Sequence, residues 1–196
     1  MFNYFLEETP WEIREQILRY NAAQNMSDVE RAKFFGLPEG CRMREGAKII
    51  HPQNLKIGSY CWIGENAILD ASGGLEIGEH TSIGVGVFVW THDSHDLNIK
   101  GENTRDASNL IKRRKTSIGK NCYIVGHSVI MPGVTIGDKC IVAPMSVVYE
   151  DLPNGTVYKP YRNFYKILQE IEEKDKKIND LERRISFLEV QLLQNE

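Results

Sequence analysis

Residues 117–148 read SIGKNCYIVGHSVIMPGVTIGDKCIVAPMSVV, and an aliphatic residue returns at every sixth position of this stretch. Neither the 3.6-residue period of a helix nor the two-residue period of a strand produces such a pattern. Two shorter upstream runs, residues 56–69 and 76–89, have the same period. The aliphatic series are Ile57, Ile63 and Leu69; Ile77, Ile83 and Val89; and Ile118, Ile124, Ile130, Ile136, Val142 and Val148. Such a repeat predicts a solenoid in which each coil buries its face on the next.

A second series, of small residues, lies two positions before the aliphatic one. Its members are Cys61, Ala67, Thr81, Val87, Cys122, Ser128, Val134, Cys140 and Ser146. A narrow coil with sharp corners needs one large and one small inward residue on each face, so the three cysteines in this series are predicted to be core fillers. Glycines recur as well, and we expect them at corners with positive φ. They are Gly58, Gly64, Gly78, Gly84, Gly119 and Gly137. The predicted fold class is therefore an all-β solenoid, a parallel β-helix.

Composition limits the classes of function. The 196 residues are 41% hydrophobic and 26% charged, which is normal for a chain that buries a core. The net charge of −3 argues against a broad nucleic-acid surface. The N-terminal stretch MFNYFLEETP lacks the pattern of a secretory signal, and no run approaches the roughly 20 apolar residues of a membrane span. We expect a cytoplasmic protein without a nucleic-acid partner or a membrane span.

The repeat is interrupted once. Val89 and Ile118 are 29 residues apart where six would continue the coil, so the chain has about 23 residues more than the repeat requires. We place this inserted loop at residues 91–117, and a long insertion in a compact repeat is often functional. The loop carries a basic run, Lys112 to Lys115, which is either a solvated face or an attraction for phosphate groups.

The stretch WTHDSHD, residues 90–96, opens this loop and has three interpretations: a metal site, a catalytic base or a polar loop. His92 and His95 form an H-x-x-H pair, to which Asp93 or Asp96 could add oxygen for zinc. A base is the second possibility, because neutral imidazole is abundant at pH 7 and can take a proton from a hydroxyl. We expect no metal, since no third histidine nearby completes a ligand set.

The hexads ending in MPGVTIGDKCIVAPMSVVYEDLP resemble the hexapeptide-repeat acyltransferases over roughly residues 45–163. The resemblance is closest to galactoside and maltose O-acetyltransferases and to the sugar O-acetyltransferases of surface-polysaccharide pathways. It implies a left-handed parallel β-helix, a homotrimer and acetyl-CoA as co-substrate. It also implies His92 as the general base, with His95 as the alternative. Asn66 matches a position that holds the acceptor sugar, and nearby Asp70 could hydrogen-bond sugar hydroxyls.

The same resemblance implies where acetyl-CoA lies. Gly126 and Pro144 match positions on the late coils that contact the pantetheine arm. Lys159, Arg162 and Lys166 lie in a segment that supplies cations for phosphates. Pro144 departs from the family pattern, because proline has no N–H to donate.

The two ends are expected to be helical. Residues 10–34 have an apolar stripe and are predicted to form a helix that covers the open end of the first coil. The C-terminal segment has heptads of a coiled coil, with Ile171, Ile178, Ile185 and Leu192 at a and with Ile167, Leu181 and Leu188 at d. Arg184 and Glu189 fit the pattern of trimeric coils. The expected domains are a helical cap at 1–44, a β-helix at 45–163 and a coiled coil at 164–196.

The expected function is acetyl transfer from acetyl-CoA to a sugar hydroxyl in surface-polysaccharide or glycan synthesis, with a histidine of the loop as general base. Two alternatives stay open at this point. One is N-acetylation of a nucleotide-linked amino sugar, and the other is a non-catalytic trimeric β-helix scaffold.

Overall fold

The computed structural model describes residues 11–102 and 108–194. The helices are α1 (Trp11–Ala23), α2 (Asp28–Phe34), α3 (His95–Lys100) and α4 (Pro160–Gln194). The strands are β1 (Arg42–Met43), β2 (Lys48–Ile50), β3 (Leu55–Ile57), β4 (Trp62–Ile63), β5 (Ile68–Asp70), β6 (Leu75–Ile77), β7 (Ser82–Ile83), β8 (Phe88–Val89), β9 (His92–Asp93), β10 (Lys112–Arg113), β11 (Thr116–Ile118), β12 (Tyr123–Ile124), β13 (Val129–Ile130), β14 (Thr135–Ile136), β15 (Ile141–Val142), β16 (Val147–Val148) and β17 (Val157–Tyr158). The chain divides into two compact units, Met1–Tyr158 and Lys159–Glu196.

Three parallel sheets wind the first unit into a coil of about six turns. Face A has the strand order β1-β4-β7-β12-β15-β17, face B the order β2-β5-β8-β13-β16, and face C the order β3-β6-β11-β14. Equivalent positions stack in register from one coil to the next, as Ile57 does on Ile77 and Ile77 on Ile118. The predicted parallel β-helix is confirmed, and the coil is consistent with the left-handed form.

The core contains the two series that the sequence predicted. Every member of the small series is buried, and so is every member of the aliphatic series except Ile57, which is half-buried. Ile57 belongs to β3, the edge strand of face C, so only one neighbouring strand covers it. The three cysteines of the small series are buried and unpaired. Burial raises the pKa of the Cys61 thiol to about 11, which suits a core filler better than a nucleophile.

The six repeated glycines are required for a reason other than the predicted one. Positive φ occurs two residues later in each repeat, at Tyr60, Asn66, His80, Gly86, Asn121 and Lys139. A Cβ added to Gly58 would lie 2.5 Å from the backbone nitrogen of Glu79, and one added to Gly78 would lie 2.5 Å from that of Lys120. The expectation of positive φ at these glycines was wrong, because what excludes a side chain there is the close approach of the next coil.

The N-terminal segment forms two helices where one had been predicted. Ser27 begins α2 with a capping box, in which its side chain accepts from the Glu30 N–H while the Glu30 carboxylate accepts from the Ser27 N–H. This cap favours a new helix start over continuation of α1. The buried Arg31 donates to the carbonyl of Met43 in β1, so α2 covers the first strand of face A.

The second unit consists of α4, a helix of 35 residues. Its described side chains include a set of exposed apolar residues at the predicted a and d positions: Ile167, Ile171, Ile178, Leu181 and Ile185. Such a stripe on an otherwise charged helix is typical of a coiled-coil strand. Among residues 11–102 and 108–194, no helix combines the length and the apolar character needed to cross a lipid bilayer.

Candidate active site

The insertion leaves the solenoid directly after β8, the middle strand of face B. Its two ends run side by side as an antiparallel ribbon of β9 and β10, in which His92 lies opposite Arg113. The coil resumes at β11, where Thr116 stacks on Leu75 of β6. The ribbon therefore stands at the corner between face B and face C, and its base is fixed by the solenoid.

Asp70 ends β5 at this same corner, with its side chain fully buried. Its Oδ1 accepts from the backbone N–H of Ser72 at 3.0 Å. Its Oδ2 accepts from the backbone N–H and the hydroxyl of Thr91, at 2.8 and 2.9 Å, and lies 2.7 Å from Nδ1 of His92. A buried carboxylate requires such saturation with donors, because an unpaired one would lose its hydration without compensation.

The charge state of Asp70 determines the tautomer of His92. Burial raises the pKa of the Asp70 carboxyl, but the hydrogen bonds from His92, Ser72 and Thr91 outweigh burial and lower it to about 2. The carboxylate is therefore ionised at neutral pH and can only accept. Nδ1 of His92 must carry the proton that it donates to Asp70, which leaves a lone pair on Nε2 of the neutral ring.

The remaining surroundings of the His92 ring restrict its rotation. The Trp90 ring meets it edge to face, with ring centroids 5.9 Å apart. The Ser72 hydroxyl oxygen lies 3.1 Å from Nδ1. The side chain is still 31% exposed, so a molecule at the corner can reach it. An oriented imidazole with a free Nε2 has the geometry of a general base.

His95, three residues further along the insertion, has a different environment. Its Nδ1 lies 2.6 Å from Oδ1 of Asp93, and its Nε2 lies 3.1 Å from Oδ1 of Asp96. With a carboxylate oxygen at each ring nitrogen, the ring serves best as a double donor and offers no free lone pair. Lys112 also contacts Asp96, at 2.6 Å, so this cluster holds the ribbon and α3 together.

Asn66 and Asp70, the two residues predicted to bind the acceptor, do not lie together within one subunit. Asn66 precedes β5 and Asp70 ends it, so the two lie at opposite ends of face B. Asn66 has φ of +57° at the corner between faces A and B, and its side chain covers Gly46 of the preceding coil. Asp70 instead joins His92, with both of its oxygens engaged by protein donors.

The residues predicted to hold acetyl-CoA are described in part. Gly126 and Pro144 lie at the corner between faces A and B on consecutive coils. Lys159 is exposed. The side chains of Arg162 and Lys166 lie outside the described part of the structure.

Three contributors to the site were not singled out from the sequence: Ser72, Trp90 and Thr91. Thr91 accepts from the backbone N–H of Gly73 at 2.8 Å while its hydroxyl donates to Asp70. The only available signal was a cluster of short polar residues after β5, in the stretch DASGG at 70–74. Within residues 11–102 and 108–194, no three His, Cys, Asp or Glu side chains are grouped as metal ligands.

The repeats are similar in sequence to those of known proteins. A family model described as "Bacterial transferase hexapeptide (six repeats)" matches residues 115–150, from the end of the insertion to the late coils. This stretch of the chain is therefore similar to the hexapeptide repeats of bacterial transferases. A relative of similar sequence is the putative colanic acid biosynthesis acetyltransferase WcaF of Escherichia coli strain K12, which is 32% identical over 127 residues. The match covers 64% of this chain and 65% of that relative, so the chain spans less than two thirds of the relative's length.

Solved structures of the family have the same coil. A hexapeptide-repeat acetyltransferase from Vibrio cholerae, in complex with acetyl coenzyme A, has 26% identity and a TM-score of 0.54, over 74% of this chain and 80% of that one. Galactoside acetyltransferase in complex with coenzyme A has 21% identity and a TM-score of 0.62, over 76% and 77% of the two chains. The second likeness shows the fold alone. The predicted resemblance to hexapeptide-repeat sugar acetyltransferases is confirmed.

Proposed function

We propose that this hexapeptide-repeat protein transfers an acetyl group from acetyl-CoA to a sugar hydroxyl, with His92 as the general base. The observation that carries the proposal is the 2.7 Å contact between Nδ1 of His92 and the buried Asp70, which leaves Nε2 available. Similarity to acetyltransferases, including one solved with acetyl coenzyme A, supplies the class of reaction.

The chemistry follows from the free nitrogen. Nε2 of His92 takes the proton of the acceptor hydroxyl while that oxygen bonds to the acetyl carbon, and the carbon–sulfur bond breaks. The proton then passes from Nε2 to the departing thiolate, which returns the ring to its neutral form. Asp70 stabilises the positive charge that the ring carries between the two steps. Asp70 is thus a positioning residue in this proposal, rather than a contact for sugar hydroxyls.

The remaining assignments follow the family resemblance. We assign Gly126 and Pro144 to the pantetheine arm, and Lys159, Arg162 and Lys166 to the phosphates of acetyl-CoA. Asn66 is proposed to contact the acceptor. Since Asn66 and His92 occupy different corners, one acceptor reaches both only when a neighbouring subunit brings its own Asn66 to the site.

A homotrimer is part of the proposal. Faces A and B expose apolar side chains on their late coils, whereas the outward residues of face C include Lys56 and Glu76. The exposed apolar residues on faces A and B and at their corners include Tyr123, Ile141, Met145, Val147, Tyr149 and Val157. Neighbouring subunits that pack on these two faces would bury this set, and the heptads of α4 support the same number of chains.

Calorimetric titration of the full chain with acetyl-CoA tests the co-substrate. We expect saturable binding in the micromolar range, and the absence of heat up to millimolar acetyl-CoA would contradict the proposal. Mass spectrometry of reactions with hydroxy and amino sugars then identifies the product. Mild alkali releases an acetyl ester but leaves an acetamide intact, so an alkali-resistant product would favour N-acetylation.

Light scattering after size-exclusion chromatography tests the assembly. We expect a mass three times that of the chain. A monomeric mass at micromolar concentration would exclude a site shared between subunits.

A further inference from the structure

A second feature of the B–C corner is a cavity of about 630 Å³ beside the Asp70–His92 pair. Its walls come from the turn after β5, from strands β3 and β6, and from the returning end of the insertion. The residues that bear on its chemistry are Lys56, Ser72, Glu76, Arg113 and Lys115.

Two of these residues tie the cavity to His92. The Ser72 hydroxyl, which lines the cavity, lies 3.1 Å from Nδ1 of His92. Arg113 lies directly opposite His92 in the antiparallel ribbon. Side chains at opposed positions of an antiparallel pair project from the same face, with Cβ atoms about 5 Å apart. A ligand in the cavity therefore lies against two direct neighbours of the proposed base.

The residues that line the cavity have a net charge of opposite sign to that of the whole chain. Three cations (Lys56, Arg113, Lys115) against one anion (Glu76) give a local charge of +2, whereas the net charge of the chain is −3. Glu76 engages both lysines, at 3.2 Å from Nζ of Lys56 and 2.7 Å from Nζ of Lys115. Arg113 has no carboxylate within ion-pair distance among the residues that the structure describes, so its guanidinium is available to a ligand.

We infer that this cavity binds an anionic group carried by the acceptor, a phosphate or a carboxylate attached to the sugar, and so directs an acceptor hydroxyl to His92. The inference rests on the proposed function, since it names the class of acceptor for the same site. Arginine suits the role, because its planar fork donates two parallel hydrogen bonds to either group. The lysine pair held by Glu76 supplies further positive potential at the cavity wall.

The test is calorimetric titration of the full chain with three matched sugars: galactose 1-phosphate, galacturonate and galactose. The variants are Arg113→Ala, which removes the free cation, and Glu76→Gln, which removes the one anion. Arg183→Ala is the matched control, because Arg183 is an exposed arginine of α4 in the other unit. Acetyl-CoA is titrated in parallel with every variant.

We expect an anionic sugar to bind more tightly than galactose, and added salt to weaken its binding. Arg113→Ala should weaken that binding about 10-fold, as expected for loss of a charge-assisted hydrogen-bond pair. Glu76→Gln should strengthen it several-fold, and Arg183→Ala should leave it unchanged. Preference for galactose 1-phosphate identifies the group as phosphate, and preference for galacturonate identifies it as carboxylate.

Several results would overturn the inference. They are equal binding of charged and neutral sugars, no binding of either anion at millimolar concentration, and indifference of anion binding to both cavity variants. Weaker acetyl-CoA binding by Arg113→Ala with unchanged sugar binding would assign the cavity to the co-substrate instead. Failure of acetyl-CoA to bind while the sugar anion still does would contradict only the proposed function.

Discussion

His92 and His95 are three residues apart in one loop, yet their surroundings are opposite. His92 stands where the insertion leaves the solenoid, and one of its ring nitrogens is held by a buried carboxylate. His95 begins α3, and each of its ring nitrogens meets a half-buried aspartate. The number of occupied ring nitrogens thus distinguishes His92, the proposed base, from His95, whose contacts hold the loop.

The supports of the two rings differ as well. The partner of His92, Asp70, is supplied by a strand that sits in the solenoid, 22 residues earlier in the chain. The partners of His95 all belong to the insertion itself. A catalytic group needs a fixed position, and an element of the scaffold holds it more accurately than a loop does.

The largest expected effect is on the rate of acetyl transfer. Replacing His92 with alanine should lower kcat by about 10²–10⁴-fold, because that is the usual contribution of general-base catalysis. His95→Ala is the matched control and should leave kcat within a few-fold. Steady-state kinetics of both variants with the same acceptor gives the comparison. An equal loss in both variants, or a larger loss in His95→Ala, would reverse the assignment.

A smaller effect is expected from Asp70→Asn. An amide at this position turns its NH₂ group toward either the Ser72 N–H or the donors of Thr91 and His92, so one of these contacts becomes repulsive. The uncharged amide also no longer stabilises protonated His92. We expect kcat to fall by about 10²-fold, the lower end of the usual contribution of general-base catalysis, because the imidazole itself remains.

The readout that separates positioning from simple structural damage is acetyl-CoA binding. Calorimetry of Asp70→Asn should give the wild-type affinity for acetyl-CoA while kcat is reduced. Loss of acetyl-CoA binding together with activity would mean that the substitution disrupts the coil.

The smallest expected effect is on stability in acid. Hydrogen bonds place the pKa of Asp70 in the folded protein, about 2, below its ordinary value of 3.8, so the ionised group stabilises the fold above pH 4. That contribution, about 2 kcal/mol, is lost as the pH falls through 4 toward 2. Urea unfolding of wild type and Asp70→Asn at fixed protein concentration should therefore differ most at pH 5 and converge toward pH 2. A constant difference across this range would contradict the proposed charge state.

The fold could be predicted from the sequence because the pattern that specifies it lies within short stretches of the chain. Every coil repeats the same inward pair, so Ile124 and Cys122 can be assigned to the core from spacing alone, and both are buried. The role of the glycines was less accessible. Gly58 and Gly78 lie against backbone that is about 20 or more residues away in the chain. A pattern of neighbouring residues does not reveal such a contact.

The site was accessible in part. The break in the repeat and the pair of histidines indicated the position of the candidate site, and the resemblance favoured His92. The partner of His92 was not deduced, because hydrogen bonding between Asp70 and His92 depends on one full turn of the coil separating them. From sequence, Asp70 is a residue that could hydrogen-bond sugar hydroxyls, because a carboxylate at the end of a strand looks the same in sequence whether it faces solvent or the core.

Periodicity, the interruption at Val89 and the heptads of the C-terminal segment thus follow from residue order, because each is a spacing within one stretch of chain. Three other properties do not: the unoccupied Nε2 of His92, the aspartate contacts at both ring nitrogens of His95, and the place of Arg113 opposite the proposed base. Each depends on segments that come together only after the coil has formed and the ribbon has paired. The hydrogen-bond partners and the local charge therefore follow from the tertiary structure.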